Sequence, residues 1–439
     1  MEHSPSQPSR WVDQAGWTFT MASGDDTRVP ASTTCAIVGG GPAGLVLGLL
    51  LARAGIRVTV LEKHADFLRD FRGDTVHPST LSLLDDLGLF ERFNALQQSH
   101  LTRVSVPGAD GGQVVLADFG RLPLRHPYIA MVPQWDLLNL LADAAGTEPG
   151  FTLLKEHAVT GIVRDGNRVA GVDYDSPAGP GRLHADLTVA CDGRWSMVRQ
   201  SVGLRAREFP VGFDVWWYRV PSIHIGEEAL LPRIGVRRAA VVIPREGYRQ
   251  VAELRLKGGD PEIRDRGIEV FRQESAELLP DLAAGLTGLL SMDDVKHLDV
   301  RVDRLRRWYA PGVLCIGDAA HAMSPVGGVG INLAVQDAVA AARLLAQPLR
   351  EGRLGRRHGT RYLARVQHRR MIPAAVLQRL QRAIHTLVIM RVLRGEVTTP
   401  PPLLGRVLER VPALTAIPAF LIGVGPRPER APGWARRSA

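Results

Sequence analysis

The chain has 439 residues, 45% of them hydrophobic, and a net charge of +9, enough for one large core or two to three domains sharing an interface. No apolar run reads as long enough to span a bilayer, since the most apolar tail segment, 414–424, is short and broken by Pro418, and no secretory leader pattern opens the chain. Lysine occurs only at 63, 155, 257 and 296, so the other 50 of the 54 cations are arginine; they are scattered, with no basic helix or aromatic-interleaved stripe, which argues against nucleic acid and leaves an anionic small molecule or a nucleotide as the partner the field favours.

Residues 1–32, rich in Ser, Pro, Asp and Gly, are expected to be a disordered extension. Residues 33–38 (TTCAIV) read as a buried parallel strand, 42–54 as a helix with Pro42 in its first turn, and 57–61 (RVTVL) as a second strand, together a βαβ unit. Residues 79–89 are amphipathic and helical. From 101 to 132 the pattern is short and β-like around a Gly-Ala-Asp-Gly-Gly turn at 108–112, and 136–145 returns to helix. Strands alternate with Asp-Gly and Gly-Asn turns over 151–190, and 213–256 is β-rich again. Residues 313–345 repeat the strand–loop–helix pattern; the tail after 347 reads as helical, then proline-rich near 399–402. The organisation is a nucleotide-binding α/β unit assembled from separated segments, with a β-rich insertion and no internal repeat.

Three motifs carry chemistry. The first, Val38-Gly39-Gly40-Gly41-Pro42-Ala43-Gly44, matches G-x-G-x-x-G at Gly39, Gly41 and Gly44. Gly39 permits the tight turn, Gly41 lets backbone approach a pyrophosphate, and Gly44 lets helix pack on strand. The helix start adds free N–H groups and a positive dipole end. Glu62, ending the next strand, can accept ribose hydroxyls and would repel a 2′-phosphate, so the dinucleotide reads as FAD or NAD rather than NADP. The second, Cys191-Asp192-Gly193-Arg194, ends another strand and feeds a short helix near Ser196. The third places Asp318 at a strand end and a Gly327-Gly328-Val329-Gly330 loop at a helix start near Asn332, where backbone N–H groups can face a phosphate or an electron-rich ring. The three cysteines, Cys35, Cys191 and Cys315, read as buried reduced thiols, which points to the cytoplasm; no Cys/His spacing points to a metal.

In that order the motifs resemble those of the class A flavoprotein monooxygenases, the para-hydroxybenzoate hydroxylase group. "RLRRWYAPGVLCIGDAAHAMSPVGGVGINLAVQDA" (304–338) is similar to the family's second FAD motif, and "CDGRWSMVR" (191–199) to its Asp-Gly motif. "FRGDTVHPSTLSLLDDLGL" (71–89) resembles the segment where an arginine reaches the cofactor, a position matched by Arg72. Gln134 in "MVPQWDLLNLL" matches a glutamine that contacts the ribityl region. The resemblance covers roughly residues 34–345.

The resemblance implies an α/β fold: a Rossmann-like FAD-binding domain from 33–100, 133–207 and 299–346, an inserted β-sheet substrate domain from 101–132 and 208–298, and a C-terminal helical region over 347–439. It implies FAD as cofactor, NADPH or NADH as electron donor, O2 as co-substrate, and hydroxylation of an aromatic or other electron-rich small molecule through a C4a-hydroperoxyflavin. Gly39, Gly41, Pro42, Ala43 and Gly44 would hold the pyrophosphate, Glu62 with Lys63 beside it the adenosine ribose, Arg72 and Gln134 the flavin side, and Asp318 the ribityl or pyrophosphate region. Gly327, Gly328, Val329, Gly330 and Asn332 would face the pyrimidine edge of the ring; Asp192 would support the fold and share in NAD(P)H binding. Pro325 would line the oxygen's place. His77 and Asp74 are candidate bases beside the flavin, and Trp216, Trp217, Tyr218 and Val241 candidate substrate contacts from the insertion. "WWYRVP" (216–221) partly echoes a flavin-dependent halogenase stretch, but none of the four lysines falls where that chemistry needs one. The same fold could instead serve a flavin oxidase or dehydrogenase, or a non-catalytic FAD-binding redox sensor. Residues 363–393, apolar at helical spacing with many arginines, are expected to pack on the flavin domain, and the same pattern would also suit a homodimer contact or a membrane surface.

Overall fold

The computed structural model describes residues 30–68, 75–107, 113–221, 231–245, 247–355, 358–396 and 402–437. The 1–32 extension therefore lies almost wholly outside the described residues, as do Arg72, Asp74, the 108–112 turn and the start of the proline-rich 399–402 stretch.

Strand Ser32–Val38, helix Pro42–Arg53 and strand Val58–Leu61 form the expected βαβ unit. They lie in a sheet ordered Tyr309–Ala310, Val313–Cys315, Gly179–Ala190, Ser32–Val38, Val58–Leu61, Phe151–Leu154; strands Ala158–Asp165 and Arg168–Ser176 extend it as an antiparallel meander from Gly179–Ala190. The inner neighbours are parallel. Ser32–Val38 lacks polar alternation because strands flank it and helices cover it: Cys35, Ala36 and Ile37 are fully buried.

The register decides where the chemistry gathers. Val38 lies opposite Leu61 on one side and Ala190 on the other, and Ala190 lies opposite Cys315. The Gly39 loop, Glu62, Asp192 and Asp318 therefore leave the sheet along one edge, at the carboxyl ends of its parallel strands. From Ser32–Val38 the chain continues to one side of the sheet and later returns on the other, so this edge is a topological switch point, where open α/β sheets bind ligands.

A second, antiparallel sheet is ordered Leu231–Gly235, Arg238–Arg245, Tyr248–Leu256, Phe213–Pro221, Lys296–Leu298. Helix Asp260–Leu278 covers its outer face, burying Trp216, Tyr218 and Phe271 in one cluster. Strand Ile129–Met131 pairs with Thr75–Val76 and Ser99–Leu101, and Arg103–Pro107 with Gln113–Asp118, which accounts for the β-like 101–132 stretch.

Helix Val329–Arg350 packs its Ala334 against Gly317, which also faces Ala43 of the first helix. The segment 326–350 is long and apolar enough to cross a bilayer by composition, contrary to the expectation that no run would be, but 78% of its apolar window is buried inside the protein. It is the central core helix of the fold, and its polar Gln336 and Asp337 point inward.

The tail is not a detached helical region. Helix Thr360–Ile384 runs into a π-helical turn, His385–Ile389, and on to Met390–Leu393. After Pro402–Arg410 and Ala416–Gly423 the chain folds back: Arg430 grips Asp86 at 2.9 and 2.8 Å, and Arg53 donates to the Ala435 carbonyl at 2.9 Å.

Candidate active site

At the switch point Gly39 holds φ +104°, and a Cβ there would lie 2.6 Å from the Cys191 carbonyl oxygen. A Cβ on Gly44 would lie 2.0 Å from the Gly39 oxygen, so the helix reaches the strand only because both residues lack side chains. At Gly41 a Cβ would meet nothing within 4 Å. This N-cap residue has open space in front of a helix start with Pro42 in its first turn and no acidic side chain competing for the N–H groups. Ala43 is buried behind it. Glu62 is 2% exposed; one of its oxygens accepts from Gly40 N at 2.8 Å and the other from His64 N at 3.1 Å. With both oxygens accepting from backbone N–H groups, Glu62 braces the loop at the end of its strand. Lys63 is exposed beside it.

Across the crevice Asp192 accepts from Val198 N at 3.2 Å through Oδ2, while its Oδ1 is buried without a partner. Burial pushes its carboxyl up, against the hydrogen bonds from Ser196 and the Val198 backbone. Asp318, half-buried, faces the Arg194 guanidinium at 3.6 Å. The loop bearing Asp318 is set from behind by Asp337, fully buried in helix Val329–Arg350: it accepts from Gly317 N at 3.1 Å, contacts His321 Nε2 at 2.6 Å, and accepts from Arg370 Nε at 2.9 Å. Burial pushes the Asp337 carboxyl up, but His321 and Arg370 outweigh it and hold the group below the usual carboxylate range.

The Gly327–Gly328 turn is braced from two directions. Thr75 Oγ1 donates to the Gly328 carbonyl at 3.2 Å, and His77 Nε2 meets the same oxygen at 3.2 Å. A carbonyl only accepts, so Nε2 carries the proton and Nδ1 is the bare nitrogen. That Nδ1 is buried without a partner, and burial lowers the ring pKa to about 4. His77 is fully buried, so it braces the loop and presents no open edge to a substrate, contrary to the reading of it as a base. The Asn332 side chain is likewise committed: its Oδ1 accepts from Ser79 at 2.5 Å, Thr80 at 3.1 Å and Gln336 at 3.4 Å, tying two helices together. Gly330 beside it carries no side chain, and the Val329 side chain is buried in the core. Pro325 and Gln134 are half-buried, Gln134 opening helix Gln134–Gly146 beside the strand that pairs with Thr75.

Three residues on one face of helix Thr360–Ile384 and its π-turn were not anticipated. Gln378 donates to the Asp303 and Ala322 carbonyls at 2.6 and 3.0 Å, Gln381 to those of Ser324 and Val326 at 2.9 and 2.7 Å, and His385 Nε2 meets Ser324 Oγ at 2.9 Å. They hold the 322–326 loop, and Pro325 with it. The signal was a polar i, i+3, i+7 row on a helix otherwise read by its apolar spacing.

In the second sheet, strand alternation divides the expected substrate contacts. Trp216 and Tyr218 are fully buried under the outer helix, bonding to Asp260 at 3.1 Å and Glu253 at 2.9 Å, so neither can line a chamber facing the first sheet. Val241 and Trp217 lie on the opposite face and pack on the same cluster as Val326, Ile389 and Met390.

This arrangement fits FAD. A side-chain-free approach at Gly41, an orphaned buried acceptor on Asp192 and a backbone loop ahead of a helix start converge on one edge. The model of the FAD binding domain family matches residues 32–379. The chain belongs to this family. It is 33% identical over 342 residues, 74% of the chain and 78% of the relative, to a 6-methylpretetramide 4-monooxygenase of Streptomyces rimosus. It is 31% identical to a kynurenine 3-monooxygenase of Salinispora arenicola, over 69% of the chain and 70% of that protein. The solved anhydrotetracycline hydroxylase of Streptomyces rimosus superposes with a TM-score of 0.70 at 26% identity, covering 89% of this chain and 76% of that one. This member of the FAD binding domain family is an FAD-dependent monooxygenase, with O2 and a reduced nicotinamide dinucleotide as its other reactants.

Proposed function

We propose that the enzyme hydroxylates an aromatic, electron-rich small molecule held between the inner face of the second sheet and the Pro325–Gly328 loop. Similarity to monooxygenases of tetracycline-type and kynurenine substrates supports an aromatic ring as target. The observation that carries the reading is the apolar cluster in which Val326, one residue from Pro325, packs together with Trp217 and Val241: it joins the flavin loop to the sheet's inner face. On this reading 33–100, 133–207 and 299–346 form the flavin domain, 101–132 and 208–298 the substrate domain, and 347–439 a clamp on both. The cysteines, none in a disulfide, support a cytoplasmic setting.

FAD, when bound, supplies hydride acceptance and oxygen activation. The chain's part is to hold and to exclude. Gly39, Gly41 and the first helix's N–H groups bind the pyrophosphate, Glu62 the adenosine ribose, and Asp318 and Asp192 polar groups along the cofactor. The Gly327–Asn332 backbone faces the ring, and Gln378, Gln381 and His385 keep Pro325 in place. The apolar cluster keeps water from the reacting face. His77, neutral above about pH 4, holds the Gly328 carbonyl and moves no proton.

The test is to purify the protein, measure FAD per chain, titrate anaerobically with NADH and NADPH, then supply 18-O2 with a panel of phenols and polycyclic aromatic ketones. Incorporation of one labelled oxygen into product is expected. Hydrogen peroxide formed one for one with donor oxidised, and no labelled product across the panel, would overturn the hydroxylase reading.

A further inference from the structure

On the second sheet's inner face, Trp217 and Val241 both lie opposite Ala252, so the three form one row across three adjacent strands. A large ring, a methyl and a branched side chain thus stand side by side, with the small Ala252, 6% exposed, between the two larger groups. Val326 from the flavin loop, Ile389 from the π-turn and Met390, which opens the helix after it, pack on the same cluster. π-turns recur at functional sites, and this one reaches both the loop, through His385 and Ser324, and the sheet, through Ile389. The row is apolar except for one atom: the Trp217 indole Nε1, buried with no acceptor among the described residues. The other tryptophan of the pair shows the contrast, since Trp216 Nε1 is satisfied by Asp260. Arg219, two residues on along the same face, is already engaged, with its guanidinium over the Tyr248 ring at 5.0 Å.

A buried N–H without an acceptor costs roughly as much as a lost hydrogen bond. We infer that Trp217 determines substrate specificity: its indole N–H donates to a carbonyl or phenolic oxygen on an aromatic ring lying over Ala252, between Trp217 and Val241. The inference rests on the proposed function, and it selects ring systems bearing an oxygen acceptor over bare aromatic hydrocarbons.

The test is an equilibrium one on the FAD-loaded enzyme, with 2-naphthol and naphthalene as probes followed by the flavin absorbance change. In Trp217→Phe, which keeps a ring and loses the N–H, the Kd for 2-naphthol should rise about two- to tenfold while that for naphthalene stays within about twofold. In Val241→Phe, which adds bulk beside Ala252 and leaves the N–H, both probes should weaken alike. Melting temperature and FAD content of each variant establish that it is folded. Equal weakening of both probes by Trp217→Phe, or no binding of 2-naphthol to the parent, overturns the inference. Flavin reduction by NADH or NADPH and 18-O2 labelling on the same preparations test the proposed function separately, because probe binding requires no turnover.

Discussion

Arg370 is the most exacting test of how the cofactor loop is held. It is fully buried, 33 residues from Asp337 in sequence, and donates to it at 2.9 Å, to the Arg427 carbonyl at 3.1 Å and to Gln336 Oε1 at 3.3 Å, with Glu429 at 3.8 Å. Arg370→Ala leaves two buried carboxylates short of a cation, and removing one partner from a buried pair costs about 3–5 kcal/mol. With an unfolding entropy of about 2.1 cal/mol/K per residue, a chain of this length loses about 3–6 °C of melting temperature. Asp337 also accepts from Gly317 N and contacts His321, so FAD affinity should fall with it. Differential scanning calorimetry with and without saturating FAD, plus flavin titration, reads both effects. Arg370→Met combined with Asp337→Asn should lose less than the sum of the single changes, because the pair leaves together. An Arg370→Ala protein melting within about 1 °C of the parent and binding FAD normally would refute the reasoning.

Gly44→Ala should yield protein without flavin, since the added Cβ would fall 2.0 Å from the Gly39 oxygen; normal flavin absorbance after FAD addition would contradict the fit of helix to strand. Asp318→Ala should lose FAD affinity while leaving Arg194 unpaired from it; unchanged affinity in a flavin titration would remove Asp318 from the site. The lowering of His77 to about 4 makes the unfolded chain take up protons first as pH falls. Its contribution to stability, on the order of 3 kcal/mol, is present above about pH 6.5 and is lost progressively toward pH 4. His77→Gln, which can still donate to the Gly328 carbonyl, should flatten the fall in melting temperature between those limits; an unchanged slope would mean the ring is not buried neutral.

The βαβ unit and its glycines were legible because their constraints are local: a buried parallel strand, a turn without Cβ atoms and a proline-led helix are written within about 30 residues. The order of the motifs carried the family. The face of "WWYRVP" was not legible, because three consecutive aromatics carry no polar marker of which side meets the first sheet. Trp216, Trp217 and Tyr218 read alike as substrate contacts, and only their burial separates the outward pair, Trp216 and Tyr218, from the inward Trp217. His77 looked like a base because it follows the cofactor segment, but its burial depends on Gly328, 251 residues away. The partnership of Asp337 with Arg370 and Glu429 was equally hidden, since one arginine among 50 gives no sign of being the buried one.

The return of the tail has a consequence for the order of manufacture. Glu429 closes the charged chain that runs through Arg370 to Asp337 and the Gly317 turn. A ribosome delivers the glycine loop early and this last counter-charge nearly 400 residues later. The nascent chain thus carries its flavin loop for most of synthesis without the carboxylate that balances Arg343, Arg369 and Arg370. Loading of the cofactor is expected to be a late, post-translational event, and messages cut short before that codon should yield colourless chains even with the whole motif set translated.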